Sequence, residues 1–381
     1  MNDWLSAEEA VTRLGVRPQT LYAYVSRGRV HAEPEPGETR RSRYRASDIA
    51  ALATRKARGR KAADVAADAI AWGEPVLPSS ITTVIGGRLY YRGQDAVRLA
   101  QTETFEAVAR LLRGGEGAAA RRDLRDPPPG AATMRARAFA VLAARAAADP
   151  PARGRPPPEL AAEAATLLDG LVDAVAGVRA GGAIHVRLGL AWGCDRRGMD
   201  LIRRALVLLA DHELNASTFA ARVAASTGAS LSAAALAGLA ALSGPLHGGM
   251  FARVTRLVAD AARSGPRQAA ALLAHRVSAP GFGHPLYPDG DPRARALTGA
   301  FQVPAPLEDL RRSVEAATGD HGNVDFAVVA LAAHLALPED APFALFAVAR
   351  CAGWLAHALE QLDTGALIRP RARYVGLPAG E

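Results

Sequence analysis

Two histidines and an aspartate in this sequence stand where side chains could act on a carbonyl substrate. His247 lies in GPLHGG and His284 in GFGHPLYP, so glycine and proline interrupt the chain around both imidazoles. Asp325, in GNVDFAVV, stands at the start of an apolar stretch with helical spacing. A carboxylate can remove a proton, and an imidazole can donate a hydrogen bond or polarise a carbonyl group. The three residue types therefore favour acid–base chemistry.

Arginines at three places could supply the binding groups for such a reaction. Arg293 follows an Asp-Pro pair nine residues after His284, and Arg350 interrupts the apolar helix predicted for FALFAVARCAGWLAHAL. Near the C-terminus, IRPRARYVG adds Arg369, Arg371 and Arg373. Because a guanidinium group can bind a carboxylate through two hydrogen bonds, these arginines suit a small dicarboxylate.

Each of these residues also has a structural explanation. His212 follows Leu201, Ala205 and Leu208 at helical intervals, where a histidine is commonly a hydrogen-bonded core residue. Asp325 could serve only to stabilise a helix N-terminus. Arg350 would be tolerated beside a structural carboxylate, and a histidine among glycines is commonly a loop residue.

The elements that must position these residues are mostly helices. The chain of 381 residues is poor in aromatic residues and rich in Ala, Leu and Arg, which favours helix over strand. A hairpin is predicted at Gly86-Gly87, and amphipathic helices follow. No metal site and no disulfide is expected, because Cys194 and Cys351 have no ligand-like spacing. The composition and the absence of an apolar run of membrane length predict a cytoplasmic protein without a membrane partner.

The N-terminal segment differs in charge from the rest. Residues 1–61 hold thirteen Arg or Lys and seven Asp or Glu, a net charge of +6 out of +8. Ser6 and Glu9 form a capping-box pattern, and Pro18 suits the start of a second helix. This pattern resembles winged helix-turn-helix modules of the MerR and excisionase kind, which implies DNA contacts from the second helix and from the arginine-rich wing. The residues that the resemblance implies for DNA binding are Gln19, Thr20, Arg27, Arg41 and Arg43.

Seven motifs of the remaining sequence resemble the citrate synthase family, in the family's order. In chain order, the motifs are SSIT followed by YRG; DHELNAST; GPLHGG; GFGH followed by DPRA; NVDF; AR followed at short intervals by GW, AH and EQ; and IRPR followed by YVG. The resemblance covers roughly residues 79–114 and 195–376. It implies an all-α fold of a large and a small helical domain, the small-domain part lying at about 225–335. We therefore predict a winged helix-turn-helix module at 1–61, a linker at 62–78 and a citrate synthase-like domain at 79–381.

The family resemblance also implies roles for the candidate residues. Asp325 would remove a methyl proton from acetyl-CoA, and His247 would donate a hydrogen bond to the enolate, its glycines letting the thioester approach. His284 would polarise the ketone of oxaloacetate. The residues expected to hold oxaloacetate are His212, Arg293, Arg350 and, from the partner subunit of a homodimer, Arg369. Acetyl-CoA or another acyl-CoA would be a co-substrate, with no tightly bound cofactor.

Two departures from the family keep alternatives open. Met250, Phe251 and Ala252 replace a common Ala-Asn-Glu, and Pro288 stands where a basic residue commonly helps to hold CoA phosphates. The alternatives are a 2-methylcitrate synthase that uses propionyl-CoA, or a DNA-binding regulator whose citrate synthase-like domain senses a metabolite. A third interpretation makes the N-terminal module a protein-interaction arm.

Overall fold

The computed structural model describes most of the chain and divides it into two compact units. The described residues are 4–14, 16, 18–26, 30–35, 38–50, 77–115, 133–178, 181–273, 279–372, 374 and 376. One unit comprises Met1–Pro78 with Arg371–Glu381, and the other comprises Ser79–Pro370. Most of the predicted linker, residues 62–76, lies outside the described part.

The N-terminal unit contains two short helices, α1 (Ala7–Leu14) and α2 (Pro18–Ser26), and a small antiparallel sheet. Its strands are β1 (Trp4–Leu5), β2 (Ala32–Glu35) and β3 (Glu38–Arg45), in the order β1-β3-β2. The predicted capping box is confirmed, since the Ser6 amide donates to Glu9 Oε2 at 2.8 Å and the Glu9 amide to Ser6 Oγ at 3.3 Å. A small core holds the unit together: Ala10, Leu14, Leu21, Val30, Tyr44 and Ile49.

The second unit begins with a small sheet made of β4 (Thr82–Ile85), β5 (Arg88–Tyr91) and β6 (Gln94–Asp95). Its first turn is the predicted hairpin. Gly86 and Gly87 have φ values of +57° and +71°, which glycine adopts without the steric cost of a Cβ. The Tyr91 hydroxyl donates toward backbone carbonyls just before His212 and so ties this sheet to the candidate site.

Helices form the rest of the second unit. They are α3 (Ala96–Thr102), α4 (Phe105–Leu112), α5 (Met134–Ala148), α6 (Pro157–Ala176), α7 (Ile184–Ala191), α8 (Arg196–Leu209), α9 (Ala216–Ser226), α10 (Leu231–Leu242), α11 (Met250–Ser264), α12 (Pro266–Ala271), α13 (Pro292–Thr298), α14 (Ala305–Thr318), α15 (Val324–His334) and α16 (Ala341–Thr364). The predicted all-α class is confirmed. The division of this unit into a large and a small domain stays a prediction.

Helix α16 is the central helix of the core. Its residues are buried almost without interruption from Ala341 to Ala358. Trp354 packs so closely against α10 that a Cβ on Gly238 would lie 2.6 Å from its indole ring. Among the described residues α16 is the one helix long and apolar enough to cross a membrane, but 94% of its apolar window is buried inside the fold, as expected for a core helix.

A buried polar chain fixes α16 relative to the loop that carries His212. His357 Nε2 lies 3.0 Å from Asp211 Oδ2, and Thr82 Oγ1 donates to the same oxygen at 2.5 Å. Arg222 Nη1 donates to His357 Nδ1 at 3.2 Å and to Glu360 Oε2 at 2.6 Å. Because an arginine can only donate, His357 Nδ1 is an acceptor and the ring proton lies on Nε2, facing Asp211.

Candidate active site

The loop between α8 and α9 presents His212 at the centre of the site. Helix α8 ends at Leu209, and the next helix is capped by Asn215, whose side-chain oxygen accepts from the amides of Ser217 and Thr218. His212, only 6% exposed, follows the anchored Asp211. Its pKa is well below the usual value because of burial and, next, the nearby Arg293 charge. His212 is therefore neutral at physiological pH.

Two further aromatic side chains pack against His212. Its Nε2 atom lies 2.9 Å from Tyr287 Oη, and its ring stands edge-on to His284 with 5.1 Å between centroids. Burial raises the pKa of Tyr287 to about 12, so its hydroxyl stays protonated. The expected oxaloacetate ligand His212 thus already bonds to Tyr287, a residue that the sequence reasoning did not single out.

His284 keeps a defined tautomer in its glycine- and proline-rich loop. The Leu286 amide donates to His284 Nδ1 at 3.1 Å. Burial, followed by the Arg293 charge, lowers the pKa of His284 to about 4. A neutral imidazole whose Nδ1 accepts carries its proton on Nε2. His284 can therefore present an Nε2–H donor, as the polarisation of a carbonyl group requires.

Arg293 is held by Asp291 at the start of α13. Its Nε donates to Asp291 Oδ1 at 3.0 Å and its Nη2 to Oδ2 at 2.8 Å, a two-point ion pair between side chains that are almost fully buried. Asp291 also caps α13 and accepts from the Val324 amide at 3.1 Å. The Asp291 carboxylate therefore links α13 to the start of α15. The Asp-Pro-Arg sequence is the pattern from which this role of Asp291 could have been predicted.

His247 lies in a tight turn between α10 and α11. The Gly249 amide donates to Gly244 O at 3.0 Å, and a Cβ on Gly248 would lie 2.8 Å from Leu242 O. A Cβ on Gly249 would lie 2.7 Å from Gly244 O. The turn's own packing therefore demands both glycines, which is a different reason from the expected approach of a thioester.

The ring of His247 is oriented by polar groups of α9 and by an aromatic ring of α16. Its Nε2 lies 2.8 Å from Ser217 Oγ and 3.2 Å from Asn215 Oδ1. Phe346 stands edge-on to the ring at 5.7 Å. Burial, with a smaller contribution from the Arg350 charge, lowers the pKa of His247 to about 3. His247 is also a neutral imidazole.

Asp325 lies in the first turn of α15 but does not cap the helix. Asn323 is the N-cap and accepts from the Asp325 amide at 2.9 Å. Among the described residues, the partly buried Asp325 carboxylate forms no hydrogen bond or ion pair. Burial raises its pKa from an ordinary 3.8 to about 6, although the charges of Arg293 and Arg350 oppose the shift. The carboxylate is thus a stronger base than an exposed aspartate.

Arg350 projects from α16 into the same region. Its Nε donates to Leu209 O at 3.0 Å, and its guanidinium carbon lies 4.7 Å from the centroid of Phe346. The side chain is 1% exposed, yet no carboxylate of the described residues forms a salt bridge with it. Burial lowers its pKa to about 10, so it still carries a charge at pH 7. The expectation of a paired arginine is therefore not met within this part of the chain.

The charge of Arg350 reaches several predicted site residues at once. Its charge lowers the pKa values of His212 and His247, which burial lowers more strongly. The same charge also lowers the pKa of Asp325, against the larger upward effect of burial. Direct contacts join His212, His284, Tyr287 and Arg293. Asp325 is linked to that group through the charges of Arg293 and Arg350, and His247 through the charge of Arg350.

Arg369 does not belong to this cluster. It is exposed in the segment after α16, and between described residues of this chain no hydrogen bond or ion pair joins it to the site. The Ile368 amide donates to Ser226 Oγ at 3.1 Å and fixes the start of that segment. The expected contribution of Arg369 from a partner subunit stays a prediction.

The predicted DNA-binding residues are only partly described. Thr20 is partly buried on α2, while the side chains of Gln19 and Arg41, and Arg27 as a whole, lie outside the described residues. Arg43 forms an ion pair with Glu33, directly opposite it in the sheet, and stacks 4.9 Å from the Trp4 ring. An intramolecular partner therefore already occupies the predicted phosphate ligand Arg43.

Two parts of the chain are similar to known protein families. Residues 190–371 match the family model described as citrate synthase, C-terminal domain, and residues 4–57 match that described as helix-turn-helix domain. The putative citrate synthase 2 of Mycobacterium tuberculosis is 38% identical over 196 residues, 48% of this chain and 52% of that protein. The 2-methylcitrate synthase 2 of Corynebacterium glutamicum is 36% identical over 189 residues, 45% and 48% of the two chains. The chain thus matches about half the length of these relatives.

A solved structure extends the likeness to most of the fold. The crystal structure of citrate synthase from Thermotoga maritima MSB8 superposes with a TM-score of 0.66 at 26% identity, covering 81% of this chain and 96% of that one. This likeness confirms the predicted citrate synthase-like helical fold. Residues 190–371 are thus similar to the C-terminal domain of citrate synthases, and residues 4–57 are similar to a helix-turn-helix domain.

Proposed function

We propose that this chain catalyses a citrate synthase-type condensation of an acyl-CoA with oxaloacetate. The observation that carries the proposal is the buried Arg350 guanidinium, which lacks a carboxylate partner among the described residues and acts electrostatically on His212, His247 and Asp325. A dicarboxylate bound beside it would supply the missing negative charge.

Oxaloacetate would bind between Arg350 and the fixed Arg293. Asp291 holds Arg293 in one orientation, so little side-chain entropy is lost when a carboxylate binds. The ketone oxygen would then accept from His284 Nε2–H. Neutral His284 keeps its Nε2 proton at pH 7, so it can donate this hydrogen bond and stabilise the negative charge that develops on the oxygen as the new carbon–carbon bond forms. The resulting alkoxide would then take up a proton from solvent.

Asp325 would act as the base toward the acyl-CoA. With a pKa of about 6 it is mostly ionised at pH 7, and it remains more basic than an exposed aspartate. It would take a proton from the carbon next to the thioester carbonyl. The electron pair left behind forms an enolate, whose carbon attacks the ketone carbon of oxaloacetate.

His247 would stabilise the enolate oxygen, and Ser217 would select the tautomer that this requires. The Ser217 hydroxyl has one proton, which can go to Asn215 Oδ1 at 2.7 Å or to His247 Nε2 at 2.8 Å. In the second arrangement the neutral ring of His247 carries its proton on Nδ1 and donates it toward the thioester oxygen. Trp354 Nε1 donates to Ser217 Oγ at 3.1 Å and limits where that hydroxyl can turn.

The product of this step is a citryl thioester. Water would then add to the thioester carbonyl, the carbon–sulfur bond breaks, and citrate and CoA leave. With propionyl-CoA the same steps give 2-methylcitrate. The two substrates differ by one methylene, a difference worth about 1–3 kcal/mol in a binding pocket. The similarity to both named synthase types leaves this choice to experiment.

A thiol-release assay tests the proposal. Purified protein mixed with oxaloacetate should release CoA from acetyl-CoA or propionyl-CoA, and Asp325→Ala should reduce kcat about 10²- to 10⁴-fold, the usual contribution of a general base. Asp309→Ala, at an exposed aspartate of α14, is the matched control and should retain wild-type turnover. Absence of thiol release with both thioesters would refute the enzymatic function.

We infer that the active form is a homodimer in which Arg369 completes the partner's site. Helix α10 is apolar round its whole circumference, and Ala233, Leu236, Ala237 and Ala240 are left partly or fully exposed on one side. An apolar helix face of this kind favours burial against another surface. If Arg369 acts across the interface, mixing equal amounts of inactive Asp325→Ala and Arg369→Ala subunits should restore about a quarter of the activity. The reason is that about half of the dimers are mixed, and each mixed dimer has one complete site of two. No recovery after subunit exchange would refute this role.

A second candidate function is DNA binding by the N-terminal unit. The helix-turn-helix match and the +6 charge of residues 1–61 favour it, and a metabolite bound in the second unit would then be the regulatory signal. The full chain should retard random duplex DNA at low salt, and Arg41→Ala should weaken this more than Arg312→Ala in the second unit. Binding that does not depend on salt, or no binding, would instead favour a protein-interaction arm.

A further inference from the structure

A cavity beside α11, the helix that follows His247, carries arginines that the proposed mechanism does not use. It has a volume of about 570 Å³ and is lined by α11, residues 269–273 and Pro280. The face of α11 that lines it carries Arg253, Arg256, Leu257, Asp260, Arg263 and Ser264, and the opposite wall is formed by Ala269, Leu272, Leu273 and Pro280. The cavity therefore combines apolar walls with a basic rim.

The charge of this cavity is unbalanced. Arg263 forms an ion pair with Asp260. Arg253 and Arg256, by contrast, have no carboxylate partner among the described residues. A second cavity, of about 410 Å³, behaves differently, since its Arg311 is paired with both Glu308 and Glu315. Of these two cavities, the first therefore has the stronger attraction for an anion.

The walls of the cavity continue directly from the two loops that carry the proposed catalytic imidazoles. Helix α11 begins three residues after His247, and Pro280 precedes His284 by four residues. At 1.5 Å per residue, Arg256 lies about 9 Å along the helix from its first residue. An extended ligand whose reactive end lies at His247 could therefore reach this cavity with its other end.

The segment on the far side of His284 lacks the charge that CoA phosphates would need. Between His284 and Arg293 the chain has no Lys or Arg, and it contains Pro285, Pro288 and Asp289. A phosphate-bearing thioester must then find its cationic partners elsewhere in the protein.

We propose that Arg253 and Arg256 bind the phosphates at the nucleotide end of the acyl-CoA, while Leu257, Leu273 and Pro280 contact its less polar parts. This inference rests on the proposed condensation, whose acyl donor it completes. Arginine suits the task because its planar donors match phosphate oxygens. Arg253 is partly exposed and Arg256 is exposed, so the interaction should be sensitive to ionic strength.

The test compares two thioesters that differ in the phosphates. With acetyl-CoA, the double variant Arg253→Gln/Arg256→Gln should raise KM by about tenfold or more, the loss expected for hydrogen bonds to charged groups, with kcat little changed. With acetyl-pantetheine, which has no nucleotide, KM should be the same for variant and wild type. Added salt should raise the wild-type KM for acetyl-CoA but not for acetyl-pantetheine. Arg312→Gln, at an exposed arginine on α14, is the control and should change neither KM.

Other outcomes separate this proposal from the condensation itself. An active wild type whose KM for acetyl-CoA is unaffected by the double substitution would overturn the phosphate site alone, and an equal rise in KM for both thioesters would do the same. If wild-type protein releases no thiol, calorimetric titration with CoA decides the question. Binding that the double variant loses supports the site without catalysis, and absence of binding by wild type overturns it.

Discussion

Replacing Asp325 by asparagine should abolish turnover and stabilise the folded protein at the same time. The reason is that burial raises the pKa of this carboxyl from 3.8 to about 6. At pH 7 the protein holds the carboxylate ionised in surroundings that disfavour the charge. At 1.36 kcal/mol per pH unit, the gap between the two pKa values corresponds to a cost of about 3 kcal/mol.

The sign of this effect depends on pH in a defined way. Below pH 3.8 the carboxyl is protonated in both the folded and the unfolded chain, so the cost is absent. Between pH 3.8 and 6 the unfolded chain ionises first, and the folded state loses stability as pH rises. Above pH 6 the full cost applies. The stability advantage of Asp325→Asn over wild type should therefore grow from about 0.5 kcal/mol at pH 4 to about 3 kcal/mol at pH 7.5.

Urea-induced unfolding of both proteins across this pH range measures the difference, with thiol release measured on the same samples. Asp309→Asn, at an exposed position, should differ from wild type by less than about 0.5 kcal/mol at every pH. In wild type, kcat should rise about tenfold between pH 5 and 7 as the base ionises. A stability difference that does not change with pH, or an asparagine variant less stable than wild type at pH 7.5, would refute the conclusion that burial destabilises the Asp325 carboxylate.

Three further substitutions test other parts of the site. Tyr287→Phe removes the hydroxyl that lies 2.9 Å from His212 Nε2. In steady-state assays it should raise KM for oxaloacetate about fivefold or more, while the protein stays folded. An unchanged KM would show that this contact does not orient His212. Asp291→Asn breaks the ion pair with the buried Arg293 and should lower the free energy of unfolding by about 3 kcal/mol, measured by urea unfolding; a loss below about 1 kcal/mol would contradict its linking role. Gly248→Ala places a Cβ 2.7 Å from Leu242 Cγ and should lower both thermal stability and kcat. Gly244→Ala is the control in the same turn, because the nearest atom to its added Cβ lies 3.4 Å away. Equal behaviour of the two alanine variants would argue against the packing explanation for the glycines.

Much of the local structure follows from the sequence because short-range contacts determine it. The Ser6 and Glu9 capping box, the start of α2 at Pro18 and the hairpin at Gly86-Gly87 depend on residues only a few positions apart. In each case one residue type satisfies a local steric or hydrogen-bonding need. The helical fold also follows, since apolar periodicity and the family motifs predict it together.

The surroundings of the candidate residues could not be predicted in this way. Tyr287 meets His212 across 75 positions of sequence, and Ser217 meets His247 across 30. The packing requirement for the glycines beside His247 could not be predicted either, because the contact of the turn with Leu242 exists only after α10 and α11 are in place. Sequence spacing gives no distance between residues on different helices.

The sequence by itself determined which chemical groups this protein possesses: imidazoles among glycines, an aspartate at a helix start, and arginines in apolar surroundings. Only the tertiary structure decided their protonation and their partners. It buries Asp325 enough to raise its pKa to about 6, lowers the pKa of His247 and His284 to about 3 and 4, and leaves Arg350 without a carboxylate partner among the described residues. The physical reason is that desolvation and Coulomb interactions depend on distance and burial in space, which are set when remote helices pack together.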